Sequence, residues 1–341
     1  MRICLLGDFK GNPDEGMKNV SKNIREQLQV NHDVLALNSR DVFSKRFFNN
    51  IRYFQPQIIH YLHGPTIRSL IILKGAKILT GNRAKLICSA TRPYFSKLSR
   101  WAVPLVKPDL ILTQSTRFET LFREKNCRVK FIPNGVDCKK FRPVSEDEKL
   151  DIRKKLGLPS DERIILHVGH IKTNRNLDVF KEIQKIKNVQ VVIVGSITET
   201  ADERLKKDLQ KAGIKVFHKL YDDISQFYKM ADLYIFPLSH AGNKLPVSYN
   251  QAGAIDLPLS VLEAMACNLP VVTTRFGALE RLFDQGCGLH YVEDEGDIIA
   301  NVTNFSFKNV CEIRQKVLPY DWDRIVARIE LEYKDLIRKI H

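Results

Sequence analysis

The sequence lacks any apolar run long enough to cross a bilayer. Its longest runs, such as Ile164–Val168 and Val189–Val194, are strand-sized, far short of the ~20 residues a spanning helix needs. No secretory leader is expected either. MRICLLGDFKG carries one Arg and a short apolar run ended by Asp8. That reads as a first β-strand, because the apolar region of a signal peptide runs to about 7–15 residues. The expectation is a cytoplasmic protein. The seven cysteines are scattered and form no CxxC pair, so reduced thiols are expected, with neither a zinc site nor a disulfide framework. No low-complexity tract or short repeat is visible. The aspartates do not read as a metal-binding DxD, and the stretch YDWDRI is assigned to the closing helix.

What is present is an ordinary globular balance, 44% hydrophobic and 27% charged, which excludes wholesale disorder. The 341 residues suffice for two α/β domains, since single cores stop growing near about 250–300 residues. The net charge of +15 fits a solvated basic surface, phosphate-bearing substrates or an anionic membrane surface. The cations read as dispersed, with no Arg-rich tail and no single segment interleaving them with aromatics, so no nucleic-acid partner is expected.

Strands and helices alternate along the chain. Arg2–Leu6, Asp33–Leu37, Gln57–Leu62, Lys85–Ser89, Asp109–Thr113 and Val129–Ile132 form one strand series. Arg163–Val168, Val189–Val194, Lys215–His218, Leu233–Phe236 and Pro270–Thr273 form a second. Segments of helical period such as Asn19–Gln29, Asp178–Ile186 and Glu203–Ala212 separate them. Continuous apolar runs imply strands buried on both faces, as in parallel sheets. The reading is an α/β protein with two doubly wound sheets. Domains are expected over 1–155 and 156–320, with the polar stretch near 143–159 holding one short helix and the linker. A helix follows over 321–341.

Ligands of such sheets bind on loops at the carboxyl ends of strands. Four loops qualify. Gly7–Gly16 carries glycines but is no GxGxxG. Ile132–Asp137 (IPNGVD) has a turn signal at Asn134 and Gly135. Gly169–Asn176 (GHIKTNRN) offers His170, Lys172 and Arg175 beside a helix start, which suits a diphosphate or is a solvated basic loop. Ala254–Glu280 has Pro258 in front of a helix over Leu259–Ala266, whose first amides, at Leu259 and Ser260, face any anion. Glu263, one turn in among apolar neighbours, suits a pair of vicinal hydroxyls or is a surface residue of an amphipathic helix.

Together, FIPNGVDCKKFRP, ILHVGHIKTNRN, VVIVGS, ADLYIFP and LPLSVLEAMACNLPVVTTRFGALE resemble the retaining glycosyltransferases of family 4 (group 1) in order and spacing. The resemblance implies a GT-B fold: two Rossmann-like domains facing across a cleft, the N-terminal one for the acceptor and the C-terminal one for the nucleotide sugar, with a closing helix that crosses back. It implies a UDP- or GDP-linked sugar donor and a glycan, lipid-linked or small-molecule acceptor. Peripheral contact at the inner face of the membrane is compatible with it, and no metal or other cofactor is expected. Glu263 would hold the donor ribose. The amides of Leu259 and Ser260 would meet the diphosphate, with Arg175 where the family usually has lysine, His170 where it usually has arginine, and Lys172 nearby. Asn134 and Gly135 belong to the cleft turn.

Three departures stand out. Ile255 occupies the position of the family's first glutamate, with Asp256 beside it. KLICSATRP offers Ser89, Thr91 and Arg92 where a His is common, which leaves His63 nearest. The link over 239–255 is longer than usual. Asp256 and His63 are the catalytic candidates. Two rivals remain: a GT-B sugar-nucleotide epimerase or hydrolase, and a degenerate nucleotide-sugar-binding protein.

Overall fold

The computed structural model describes residues 1–9, 16–42, 44–90, 99–196, 200–238, 256–275, 277–305 and 312–338. These form two compact units. The first holds Met1–Gly135, Asp256, Leu257 and the chain from Trp322 onward; the second holds the rest, from Val136 to Asp321.

The first unit is built on a six-stranded parallel sheet of β1 (Arg2–Gly7), β2 (Asp33–Asn38), β3 (Ile58–Tyr61), β4 (Lys85–Ala90), β5 (Leu110–Thr113) and β6 (Val129–Phe131), in the order β2-β1-β3-β4-β5-β6. β3 and β5 are buried at every residue, as strands covered on both faces must be. Right-handed crossovers place the helices Lys45–Phe54, Ile67–Ile78 and Thr116–Glu124 on one face. There Phe47, Ile51, Leu70, Leu73, Phe118 and Phe122 share one core with Ile59 and Tyr61 of β3. The side-chain period of two turns His60 to the opposite face. Fully buried, it joins Tyr333 Oη at 2.6 Å and Ser89 Oγ at 2.7 Å. Tyr333 lies on the closing helix, Trp322–Arg338, which is pinned to the same unit by ion pairs from Arg128 and Lys130 to Asp335 and Glu332.

The second unit repeats the plan with β7 (Arg163–Gly169), β8 (Val189–Gly195), β9 (Lys215–Phe217), β10 (Leu233–Phe236), β11 (Val271–Thr274) and β12 (Leu289–Val292), all parallel, in the order β12-β11-β10-β7-β8-β9. β12 escaped the sequence reading because His290 interrupts the apolar run of LHYV. The contacts divide the chain at Gly135, twenty residues before the boundary expected at 155. The reason is the helix Glu146–Lys155, the short helix expected within the linker stretch, which belongs to the second unit. Its Arg153 is buried in the second unit, donating to Met230 O at 2.9 Å and Asp232 at 2.6 Å. Lys149 joins the same carboxylate at 2.6 Å.

The thiol expectation needs one correction. Cys4, Cys88, Cys127, Cys138 and Cys267 are free and buried, but Cys287 is disulfide-bonded. No helix among the described residues is long and apolar enough to cross a membrane.

Candidate functional site

An open parallel sheet leaves a crevice where its strand order reverses, and ligands sit there at the carboxyl ends of the strands. The second sheet reverses between β7 and β10. The loop after β7 is the cationic GHIKTNRN. The chain after β10 returns as the helix Leu259–Ala266.

That loop has a different shape from the one its sequence suggests. No long helix follows it. Thr173–Arg175 form a single 3₁₀ turn, ended by Asn176 in the left-handed region at φ 55°. The next helix spans only Val179–Ile183 and has no side-chain cap. The expected amides of a helix over 177–186 are therefore replaced by a tight turn. It carries Lys172 and Arg175, both half-buried. Gly195, at the end of β8, gives this loop room. A Cβ there would meet Ile171 Cδ1 at 2.6 Å and His218 at 2.9 Å.

Beneath the loop lies His167, which the sequence reading left in its strand. It is fully buried, stacks with Tyr234 and contacts Phe180, and its Nδ1 lies 3.0 Å from Ile235 O. Burial, helped by the nearby charges of Arg175 and His170, pushes its pKa down to about 4. The ring thus stays neutral under a cluster of cations, so it adds no repulsion to them.

The helix Leu259–Ala266 begins at Pro258, which supplies no side-chain cap. Val261 N turns back to Pro258 O at 3.2 Å. The amides of Leu259 and Ser260 then remain at the positive end of the helix, available to an anion. The Ser260 hydroxyl bonds Tyr234, whose own hydroxyl donates to Val168 O at 3.3 Å. Tyr234 thereby ties the helix start to the end of β7.

Glu263 lies one turn further in. Its carboxylate accepts a 2.6 Å hydrogen bond from Tyr228 Oη. Some of its surface stays accessible, but dense packing around the carboxyl pushes its pKa up to about 7, against the opposing pull of Tyr228 and Lys140. Tyr228 is held well above the ordinary phenol value by burial and by that carboxylate, so it stays protonated and keeps donating. Sequence reasoning missed Tyr228, Tyr234 and Lys140. A Tyr within SQFYKM or LYIF reads as core, and nothing in either segment marks a hydroxyl aimed at a helix from elsewhere in the chain.

The remaining candidates belong to the first unit, whose sheet reverses between β1 and β3. His63 follows β3, with Nε2 2.8 Å from Ser21 Oγ and next to Gly7 and Phe9. Asp256 is buried and takes a hydrogen bond from Ser115, at the start of the helix Thr116–Glu124. Burial raises its pKa to about 6 against the pull of Ser115 and Arg117. Its partners are thus first-unit residues, while Glu263, Arg175, His170, Lys172, Leu259 and Ser260 belong to the second unit. Gly135 has a packing role. A Cβ there would meet the Trp322 ring at 2.6 Å. Asn134 lines a cavity of about 30 Å³ with Ser89, Thr113 and Gln114, room for about one water. Ile255, Thr91, Arg92 and the segment 239–255 lie outside the described residues.

An Asp-x-Asp spacing does occur, at Asp321-Trp322-Asp323. Asp321 faces Cys138 N at 3.5 Å, Trp322 is buried, and Asp323 accepts from Arg324 N at the helix start.

Comparison with known proteins places this architecture. Residues 148–305 match the family described as glycosyl transferases group 1. Sulfoquinovosyl transferase SQD2 of Arabidopsis thaliana is 27% identical over 215 residues, 58% of this chain and 38% of that protein. A GDP-mannose-dependent monoacylated alpha-(1-6)-phosphatidylinositol monomannoside mannosyltransferase of Corynebacterium glutamicum is 28% identical, over 46% of this chain and 41% of its own length. The chain thus spans about two-fifths of these relatives. Anabaena HepE, solved in complex with UDP, superposes with a TM-score of 0.77 at 15% identity, covering 98% of this chain and all of that one. Over residues 148–305 the chain is thus similar to the group 1 glycosyl transferases, and its two parallel-sheet units are those of the GT-B fold.

Proposed function

We propose that this protein transfers a sugar from a UDP- or GDP-linked donor to an acceptor, with retention at the anomeric carbon. One observation carries the reading. A cationic turn, an uncapped helix start and a carboxyl one turn into that helix meet where the second sheet reverses. The turn and the amides fit a diphosphate. Two carboxylate oxygens fit a ribose diol. The neighbour solved with UDP supports the same ligand class.

As the donor bond breaks, negative charge grows on the leaving diphosphate. Arg175, Lys172 and the amides of Leu259 and Ser260 would stabilise it electrostatically, without a metal. The acceptor is a glycan, a lipid-linked sugar or a small molecule. The corynebacterial relative, named for a phosphatidylinositol mannoside, supports the lipid-linked choice. His63, at the reversal of the first sheet, is the acceptor-side candidate.

Calorimetry with UDP, GDP and their parent nucleosides tests the donor site. Turnover of the matching nucleotide sugars, with and without an acceptor pool, tests the chemistry. Tight binding without turnover would favour a non-catalytic nucleotide-sugar binder, a reading that Ile255 and the Ser115-held Asp256 keep open. Donor breakdown without acceptor would indicate an epimerase or hydrolase. Failure to bind any nucleoside diphosphate would overturn the donor site.

A further inference from the structure

The cations are less dispersed than they first read. Between Val42 and Pro108 there are twelve Lys and Arg and no Asp or Glu, so 67 of the 341 residues hold twelve of the fifteen net positive charges. Its described helices form much of the first unit's helix layer, which Thr116–Glu124 completes. The helices Lys45–Phe54 and Ile67–Ile78 and the segment Val103–Val106 all bury side chains in the same core, on one face of the sheet. Their outer sides therefore belong to one surface.

That surface is apolar as well as basic. Along Ile67–Ile78 the outward positions Arg68, Ile71, Lys74 and Ile78 follow helical spacing, and all are exposed. Trp101 is 63% exposed and Leu105 72%. Phe48, Arg52 and Tyr53 are exposed on Lys45–Phe54. Of the ten large apolar side chains exposed among the described residues, six lie in this stretch. The acidic groups of this layer lie towards its rim: Asp109, 3.8 Å from Lys77, and Glu119 and Glu124 on Thr116–Glu124, with Glu119 2.8 Å from Arg123. The closing helix of the same unit shows the ordinary alternative. There Glu330, Glu332 and Asp335 sit against His32, Lys130 and Arg128.

Exposed Ile, Leu and Trp among cations, with carboxylates kept to the rim, fit one class of partner. Cations draw anionic headgroups. Trp and Tyr rings suit the headgroup level. Aliphatic side chains gain from the acyl boundary. A nucleic acid would use the cations but has no counterpart for Ile71, Ile78 and Leu105. We infer that the outer face of this helix layer docks on an anionic membrane surface, with Trp101, Leu105, Ile71 and Ile78 entering the headgroup–acyl boundary. The inference stands whether or not the protein transfers a sugar.

The chain has two tryptophans, Trp101 and the buried Trp322, so fluorescence reports on the docking face directly. The full-length chain is mixed with vesicles of phosphatidylcholine alone, or of phosphatidylcholine with phosphatidylglycerol. The expected result is co-sedimentation and a blue-shifted Trp101 signal with the anionic vesicles only. Trp101→Ser with Leu105→Ser, and separately Lys74→Glu, should each weaken vesicle binding about tenfold. Lys187→Glu, an exposed charge of the second unit, should change it by less than about twofold, as an off-face charge must. These positions are exposed, and an unchanged thermal midpoint verifies that each variant folds. Absence of binding to anionic vesicles would overturn the inference. So would equal losses from Lys74→Glu and Lys187→Glu with none from the apolar pair, since that is attraction by net charge alone.

Discussion

Replacing Glu263 by Gln should stabilise the free protein while weakening its grip on the donor. The folded carboxyl has a pKa near 7 against an ordinary value of 4.5. Each unit is worth about 1.4 kcal/mol, so ionising this group in place costs the fold up to about 3 kcal/mol. The sign follows from proton counting. Between about pH 4.5 and 7 the folded chain holds a proton that the unfolded chain has released, so stability falls as pH rises through that window. The amide of the Glu263→Gln variant does not titrate. The two proteins should be nearly equal near pH 4.5, and the variant should gain with pH, by about 1–3 kcal/mol near pH 8. The lower end allows for the charged acceptor lost by Tyr228 and for the new amide that must find a partner. Urea denaturation across that range measures the difference. Calorimetry with the nucleoside diphosphate should show the opposite trend, a loss of about 1.5–3 kcal/mol for the missing charged hydrogen bonds. A variant less stable than the parent by the same amount at every pH would refute the argument. Glu263 would then be an ordinary ionised partner of Tyr228.

The other expectations concern the cationic turn, the metal requirement and the junction of the first sheet with the closing helix. Arg175→Ala should lower the transfer rate and diphosphate affinity together, by more than Lys172→Ala, with Lys restoring part of the loss and the phosphate-free nucleoside binding unchanged. Intact rate and affinity in Arg175→Ala would make the turn structural. Transfer should survive EDTA, and a loss restored by magnesium or manganese would overturn the metal-free account. Gly135→Ala should cost about 1–3 kcal/mol, because its Cβ would meet the Trp322 ring at 2.6 Å. An unchanged urea midpoint would contradict that.

Much of the fold was legible because parallel strands announce themselves. RIILHV, VQVVIV and DLILT are apolar at nearly every position and could only be buried on both faces. What failed was short or depended on distant partners. β12 is short and His290 breaks its apolar run. The helix Glu146–Lys155 is legible, but its charges, three acids then three bases, do not say which unit it joins. Only the buried carboxylate of Asp232 explains why Arg153 and Lys149 fasten it to the second unit.

The same divide runs through the site. Arg175, Lys172, Pro258 and Glu263 could be singled out as candidates because loops at strand ends and helix starts carry their chemistry in local sequence. The groups that tune them could not. Tyr228 reaches Glu263 across 35 positions of sequence, and His167 comes under the turn only because β7 and β10 pair. Glu263 shows why this matters. Its apolar neighbours Leu262, Ala264 and Met265 are visible in the sequence and imply burial, which alone would keep the carboxyl protonated. A protonated acid is a poor acceptor for two hydroxyls. The Tyr228 hydrogen bond and the Lys140 charge pull the other way and bring the group to about 7, where an arriving diol can complete its ionisation. Donor binding near neutral pH should therefore release protons, and calorimetry in buffers of different ionisation enthalpy would count them. Release that is absent near pH 7 in the parent would mean that Glu263 is already fully ionised, and that its packing costs the fold nothing.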